Sequence, residues 1–302
     1  MSRLPDSVTV RVPGSTSNCG AGFDTLGLAL QIHNRVTVTR TGLAAIQPER
    51  PADARAGELV AMAAERFFAS TGTRAEGFRF RIEGAVPVAR GLGSSATILL
   101  GVLAGLDALH GTRLSAHRFA ELGTALEGNP ENACAGVYGG FTVSRCDPGN
   151  GSYLDTIRVE VPPELKFIVA SPRLEMPTKE SRGVLPATVP FFDAAKSVNC
   201  AAFLTAAIAT GNFESLRHAS GDFLHEPYRL PRIPGARAAI AAGCAAGALT
   251  GWLSGSGSSV LCVARGDAAA AVAAAMQHAF AVASAECEVR VLEADNTGLR
   301  VE

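Results

Sequence analysis

Two runs of glycine and serine in the chain have residue types and spacing suited to holding phosphate. The first is Gly91-Leu-Gly-Ser-Ser-Ala96. It follows a segment that reads as a strand and opens an apolar, Ala- and Leu-rich stretch to Leu109 that reads as a buried helix. Glycine lets a backbone turn tightly and come close to a ligand. The first turn of a helix offers unpaired N–H groups and the positive end of a dipole, so an anion such as phosphate suits the spot. Ser94 and Ser95 can donate to phosphate, and a serine hydroxyl can ligate Mg²⁺. No lysine completes a GxxxxGK[ST] loop; Lys166, Lys179 and Lys196, the chain's three lysines, all lie elsewhere. The second run is Gly251-Trp-Leu-Ser-Gly-Ser-Gly-Ser-Ser259, which alone reads as a flexible turn.

Residues 91–96 also satisfy GxGxxA. The dinucleotide-binding version expects a first βα turn and an acidic residue about 20 positions on, closing a second strand. Here the loop sits deep in the chain, and His110–Arg113 begins a loop without such a strand. Helix capping with close packing accounts for this loop, taken alone, as well as phosphate binding does.

The elements around these runs alternate without a strict βαβ rhythm, so α+β is expected rather than a doubly wound sheet. Strands are read at Val8–Val12, ending in a Pro13-Gly14 turn, and at Arg35–Thr39, Gly77–Ile82, Phe141–Arg145, Thr156–Val161, Lys166–Ala170, Ser258–Ala264 and Glu286–Glu293. Helices are read at Leu59–Ser70, Ala116–Glu127, Phe191–Thr210, Ala236–Gly247 and Asp267–Ala281, with 171–190 as loop. A boundary near 160, dividing 1–160 from 161–302, fits the composition, although no flexible linker marks it.

The 302 residues are 47% hydrophobic and 18% charged, enough for a well-buried core, and the net charge is −1. That balance argues against a general grip on nucleic acid. No run of 18 or more apolar residues is seen, so no membrane span is expected, and Met1–Val12 does not read as a signal peptide. Seven scattered cysteines with no CxxC pair point to reduced thiols in a cytoplasm rather than a zinc site.

Three ordered segments resemble the motifs of the GHMP kinases. They are Val12–Leu30, which contains Gly22-Phe23-Asp24-Thr25; Pro87–Ala96; and Leu253–Ser259. Glu127-Gly-Asn-Pro-Glu-Asn132, Thr178 with Arg182 and Leu185-Pro186, and His225-Glu-Pro-Tyr-Arg229 are similar to features of the homoserine kinase branch rather than of the sugar or mevalonate kinases. The resemblance implies a lobe like ribosomal protein S5 domain 2, then a ferredoxin-like lobe, and a homodimer. It implies ATP on Pro87, Arg90, Gly91, Leu92, Gly93, Ser94, Ser95 and Ala96, backed by Ser254, Gly255, Ser256 and Gly257. Mg²⁺ would sit on Ser95 and Glu121. The acceptor, an amino alcohol such as homoserine, would lie between the lobes on Asn18, Asp24, Asn132, Thr178, Arg182 and Arg229.

Each of these side chains also has an ordinary reading. Arg182 and Arg229 suit a carboxylate, which a guanidinium binds bidentately; without the resemblance they read first as surface arginines. Asp24 can hold an ammonium or a hydroxyl, or cap a helix over Thr25–Leu30. Asn18 and Asn132 can close Asx turns, Thr178 can be a plain loop residue, Glu121 a solvated helical glutamate, and Trp252 a core residue. No compelling general base stands out beyond Asp24, with Thr178 and Arg182 near the reacting hydroxyl. Asn129 and Glu131 stand where the family has His and Asp, and Cys19 and Ser258 also depart from its pattern. These departures leave open L-threonine as an alternative acceptor, and a catalytically silent GHMP-like ligand-binding protein as the alternative to a kinase.

Overall fold

The computed structural model describes residues 4–302. The first lobe runs β1 (Ser7–Ser17), β2 (Leu26–Arg40), β3 (Gln47–Pro48), α1 (Gly57–Thr71), β4 (Phe78–Gly84), α2 (Ser94–His110), α3 (Ala116–Glu127), α4 (Glu131–Tyr138), β5 (Phe141–Cys146) and β6 (Tyr153–Val159). The second runs β7 (Leu165–Pro172), α5 (Thr178–Gly183), α6 (Phe191–Thr210), α7 (Glu226–Arg229), α8 (Ala236–Ala245), β8 (Thr250–Leu253), β9 (Val260–Arg265), α9 (Ala269–Val282) and β10 (Cys287–Leu292). A last strand, β11 (Arg300–Val301), returns to pair with β1 of the first lobe.

The first sheet has the order β11-β1-β2-β4-β3, with β5 on the lower half of β2 and β6 beyond it. The second has the order β10-β7-β9-β8, every pair antiparallel. With α8 before β8 and α9 before β10, it is the βαββαβ arrangement of a ferredoxin-like lobe. The α+β expectation is met, and the dinucleotide reading fails: β4, which leads to the glycine loop, lies antiparallel to β2, and α2 returns to no parallel strand.

Three local expectations are corrected. Residues 171–190 are not all loop; they hold the short helix α5, Thr178–Gly183. β1 does not stop at Pro13-Gly14; it runs on to Ser17 through a register shift there, because a bulge absorbs the proline's missing donor. Residues 25–30 are not a capped helix: Leu26–Leu30 belong to β2 and pack inward in the core that the two sheets share. That core joins Leu26, Leu28, Leu30 and Phe141 to Leu165, Phe167, Val169, Trp252 and Leu261, so the lobes are fused rather than linked. A further core lies between the first sheet and α1 and α2, and another between the second sheet and α8 and α9.

α6 also alters the expectation about membranes. It is 20 residues long with a mean hydropathy of 1.2, long and apolar enough to cross a bilayer by those measures alone. In the fold Ser197, Leu204 and Ala207 are buried, with Leu204 and Ala207 in the shared core, while Phe191 and Phe192 are exposed.

α2 comes close to the sheet because Gly101 and Gly105 face Val36 and Val38 of β2. A Cβ at position 101 would lie 2.5 Å from Val36 Cγ2. Alanine in a helix ordinarily gains about 1 kcal/mol over glycine, whereas overpacking costs about 1–3 kcal/mol. Gly101→Ala is therefore expected to lower the melting temperature by about 2–4 °C, read by thermal unfolding; a rise would show that β2 yields freely.

Candidate functional site

The three glycine-bearing segments meet. β1 delivers Ser15, Thr16 and Ser17 and then turns through Asn18, Cys19 and Gly20, at φ of 67°, 45° and 77°. Gly91, at φ 72°, has no room for a side chain: a Cβ there would overlap the carbonyl oxygen of Ser254. Ser254 Oγ donates to Gly91 O at 2.7 Å and is hydrogen-bonded to the Thr16 hydroxyl at 2.9 Å. Trp252 Nε1 donates to the same Thr16 hydroxyl at 3.0 Å, so Trp252 is a core residue with its polar tip satisfied. Ser15 N–H donates to Leu92 O, and Gly255 N–H to Ser17 O, both at 3.1 Å. Gly93, at φ 67°, caps α2 in the left-handed region, and it lines the cleft with Ser94 and Ser95 of the first turn.

That cleft encloses about 420 Å³. Of the expected nucleotide residues, Arg90, Gly91, Leu92, Gly93, Ser94 and Ser95 line it, as do Gly255 and Ser256. Pro87, Ala96, Ser254 and Gly257 do not; the last two stand behind Gly91. Asn18, Asp24, Asn132, Thr178, Arg182 and Arg229 all line it, so the candidate acceptor residues converge. No lysine is among the lining residues.

Glu121 is the exception. It lies on another face of α3, ion-paired with Arg118 at 2.6 Å in a separate groove. Glu127, the last residue of α3, lines the cleft in its place, as Ser95 does. Burial pushes its carboxyl above the usual range, and the Ser95 hydroxyl offsets part of that. Six residues separate the two glutamates, which turns them to different sides of the helix.

At the other end, Arg182 forks onto Asp24, Nη2 to Oδ1 at 2.6 Å and Nη1 to Oδ2 at 3.1 Å. Both side chains are more than a third exposed, so the pair contributes about 1 kcal/mol or less. The main-chain N–H of Asp24, at φ 53°, donates to Asn18 Oδ1. Arg229 is buried; its Nε donates to Ser181 O at 3.1 Å and its Nη1 to Gly255 O at 3.2 Å, which leaves Nη2 for a ligand. Burial, with Arg182 nearby, pulls the Arg229 guanidinium down to about 10, still cationic at neutral pH. Both guanidinium groups lie over the Phe23 ring, Arg182 at 5.5 Å and Arg229 at 5.4 Å from its centroid.

Asn132 accepts from Ser15 Oγ at 2.8 Å and donates to Ser17 Oγ at 3.2 Å. Beside it, Asn129 Oδ1 and Glu131 Oε2 are buried acceptors with no hydrogen-bond partner. Such atoms are costly unless a ligand satisfies them. Glu131 is pushed up to about 8 by burial and by the Asp24 carboxylate. Glu127, Asn129 and Glu131 were not picked out as site residues from sequence, although the run 127–132 that holds them was. The site thus has a helix N-terminus with a Ser–Glu pair at one end and two cations among carboxylates at the other. It can hold a polyphosphate against a zwitterion.

The GHMP kinases N terminal domain model matches residues 58–140, and the GHMP kinases C terminal model matches 204–282. The homoserine kinase of Moorella thermoacetica is 38% identical over 293 residues, 96% of this chain and 98% of that protein. The homoserine kinase of Trichormus variabilis is 37% identical over 97% of this chain and 98% of its own. This chain belongs to the GHMP kinases, in the homoserine kinase branch. The crystal structure of homoserine kinase from Cytophaga hutchinsonii superposes on this GHMP kinase with a TM-score of 0.86 and 26% identity, covering 100% of this chain and 99% of that one. A mevalonate kinase structure shares the fold at 11% identity and a TM-score of 0.68.

Glu131 gives the kinase a measurable pH dependence. Unfolded, a glutamate keeps its proton only below about 4.5; folded, Glu131 keeps it to about 8. Between those values the folded state binds the extra proton, so its contribution to stability falls as pH rises through the window. Glu131→Gln removes that titration. It should raise the melting temperature of the ligand-free protein by about 2–5 °C at pH 8.5 and by under about 1 °C at pH 5. An equal shift at both values would contradict it.

Proposed function

We propose that this kinase transfers the γ-phosphoryl group of ATP to the side-chain hydroxyl of L-homoserine, giving O-phospho-L-homoserine, a step of threonine biosynthesis. One observation carries the reading. The helix N-terminus behind Gly91–Ser95 and the Asp24–Arg182–Arg229 cluster face a single cleft. The relatives' names supply the acceptor, and the charge pattern agrees with it.

The purine lies against Ala56, Leu59, Val88 and Ile98, the apolar lining at the nucleotide end. Phosphate oxygens take the free main-chain N–H groups of the α2 N-terminus, where the dipole favours them. Ser95 and Glu127 offer Mg²⁺ two hard oxygen donors, which fits a metal that completes its shell with phosphate oxygens and water. Bound there, the metal supplies charge neutralisation for the transferring group.

The acceptor enters by exchange. Asp24 and Arg182, paired and partly exposed in the free protein, each trade the other for one half of the zwitterion: Asp24 takes the ammonium and Arg182, with Arg229, the carboxylate. No net ion pair is lost, so opening that latch costs little. Asn129 and Glu131 give the acceptor two buried oxygen atoms to satisfy. Asn18, Asn132 and Thr178 fix its orientation, and the hydroxyl is presented in line to the γ-phosphorus. Positioning and charge neutralisation provide most of the acceleration in such transfer. The proposed location is the cytoplasm; all seven cysteines are unpaired thiols, as a reducing compartment keeps them.

Release of ADP over a panel of homoserine, L-threonine and mevalonate tests the acceptor. Homoserine should give the highest kcat/KM; a higher value with threonine would move the reading to that amino alcohol. Asp24→Asn should raise the KM for homoserine about 10- to 100-fold and leave the KM for ATP within about twofold. An unchanged homoserine KM would remove Asp24 from the site. Glu127→Gln should raise the Mg²⁺ needed for half-maximal rate about tenfold, whereas Glu121→Gln should leave it unaltered. The reverse pattern would restore Glu121 as the ligand.

A further inference from the structure

The segment His225-Glu-Pro-Tyr-Arg229 supplies Arg229 to the cleft, yet its histidine does not line it. His225 is fully buried. Its Nε2 lies 2.9 Å from Gly20 O and its Nδ1 lies 3.4 Å from Arg229 Nη1. A carbonyl oxygen only accepts and a guanidinium only donates. These partners select one form of the ring: neutral, with the proton on Nε2. Nε2 is also 3.6 Å from Asp222 Oδ2, on the side where a proton is welcome. Burial holds the imidazole below its ordinary range, and the Arg229 charge adds to that. Its ring leans on Phe23, with centroids 5.4 Å apart.

The two polar contacts reach opposite halves of the acceptor site. Gly20 closes the left-handed turn Asn18-Cys19-Gly20, three residues before Phe23 and four before Asp24. Arg229 sits on α7, from the other lobe. Asp222 holds the near end of this segment: its Oδ2 accepts from the main-chain N–H groups of His225 and Glu226, both at 2.7 Å. The loop carrying Asn18 and Asp24 is therefore joined to Arg229 through this imidazole, and also through the Gly255 carbonyl, which accepts from Asn18 Nδ2 at 3.3 Å and from Arg229 Nη1 at 3.2 Å.

We infer that His225 is a positioning residue that fixes Arg229 relative to the Asn18–Asp24 loop through its neutral Nε2–H form. This rests on the proposed homoserine reading of the cleft. His225 touches no substrate. It sets the spacing between the guanidinium that receives the acceptor's carboxylate and the carboxylate that receives its ammonium, so its loss weakens acceptor binding and spares the nucleotide. Phosphate sites at Gly91–Ser95 share no contact with it.

Steady-state kinetics of two variants test this against the wild type. In His225→Gln the side-chain amide N–H replaces the Nε2 donor to Gly20 and the Arg229 acceptor is lost. In His225→Asn the side-chain oxygen replaces Nδ1 and the Gly20 contact is lost. Each should raise the KM for homoserine about 3- to 10-fold with the KM for ATP within about twofold, and His225→Ala should exceed both. Variants with wild-type homoserine KM, or with both KM values rising together, would overturn the inference. Wild-type protein gives a second readout that needs no variant. The ¹⁵N spectrum of the histidine rings should show His225 neutral and protonated on Nε2 at pH 7; a cationic ring or the Nδ1–H form would overturn it as well. Failure of the wild type to phosphorylate homoserine would instead strike the proposed acceptor.

Discussion

The close approach of Gly91 to Ser254 holds the site together. Position 91 needs φ 72° and has no space for a Cβ, because the Ser254 carbonyl occupies that volume. Ser254 Oγ then ties Gly91 O to Thr16 of β1. One contact thus joins the loop before α2, the hairpin between β8 and β9, and the end of β1. The glycine loop holds no lysine, and its backbone is braced from behind by two other segments. Thr16 also receives the indole of Trp252, so the apolar core shared by the two sheets extends directly to the back of the loop.

The acceptor end obeys a different constraint. Asp24, Glu127 and Glu131 share the cleft with Arg182 and Arg229, and their burial is unequal. The exposed Asp24–Arg182 pair is weak and exchangeable, whereas Arg229 is buried and tied to main-chain carbonyls. The unpartnered oxygens of Asn129 and Glu131 cost stability in the free protein and stand open to a hydrogen-bond donor. Ligand binding and local stability therefore pull in opposite directions at this end. The Phe23 ring gives both guanidinium groups a cation–π contact within 5.5 Å, which favours holding two like charges at one cleft.

Most of the fold was legible where periodicity was strong: the spans of α3 and α6 match their expected bounds. Local pattern failed where tertiary contacts decide. Thr25–Leu30 carries a cap-like aspartate and good helix formers, yet Leu26, Leu28 and Leu30 become strand because the core between two sheets claims them. α4 was hidden behind Pro130 and the turn before it. The site was readable as residue identities on loops, and the cleft gathers the expected acceptor residues. Which glutamate faces the cleft was not readable, since Glu121 and Glu127 share a helix and only packing shows which side meets the cleft. The unpartnered state of Asn129 and Glu131 is a fact of burial, which composition does not carry.

The central claim is that main-chain amides at the start of α2 grip the triphosphate. Amide ¹H–¹⁵N shifts of the ¹⁵N-labelled kinase, titrated with Mg²⁺ and a non-hydrolysable ATP analogue, address it most directly. Large shifts at Gly93, Ser94, Ser95 and Ala96, and small ones at Arg118 and Glu121, are expected. Saturating analogue that leaves the amides of 91–96 unmoved would contradict the account.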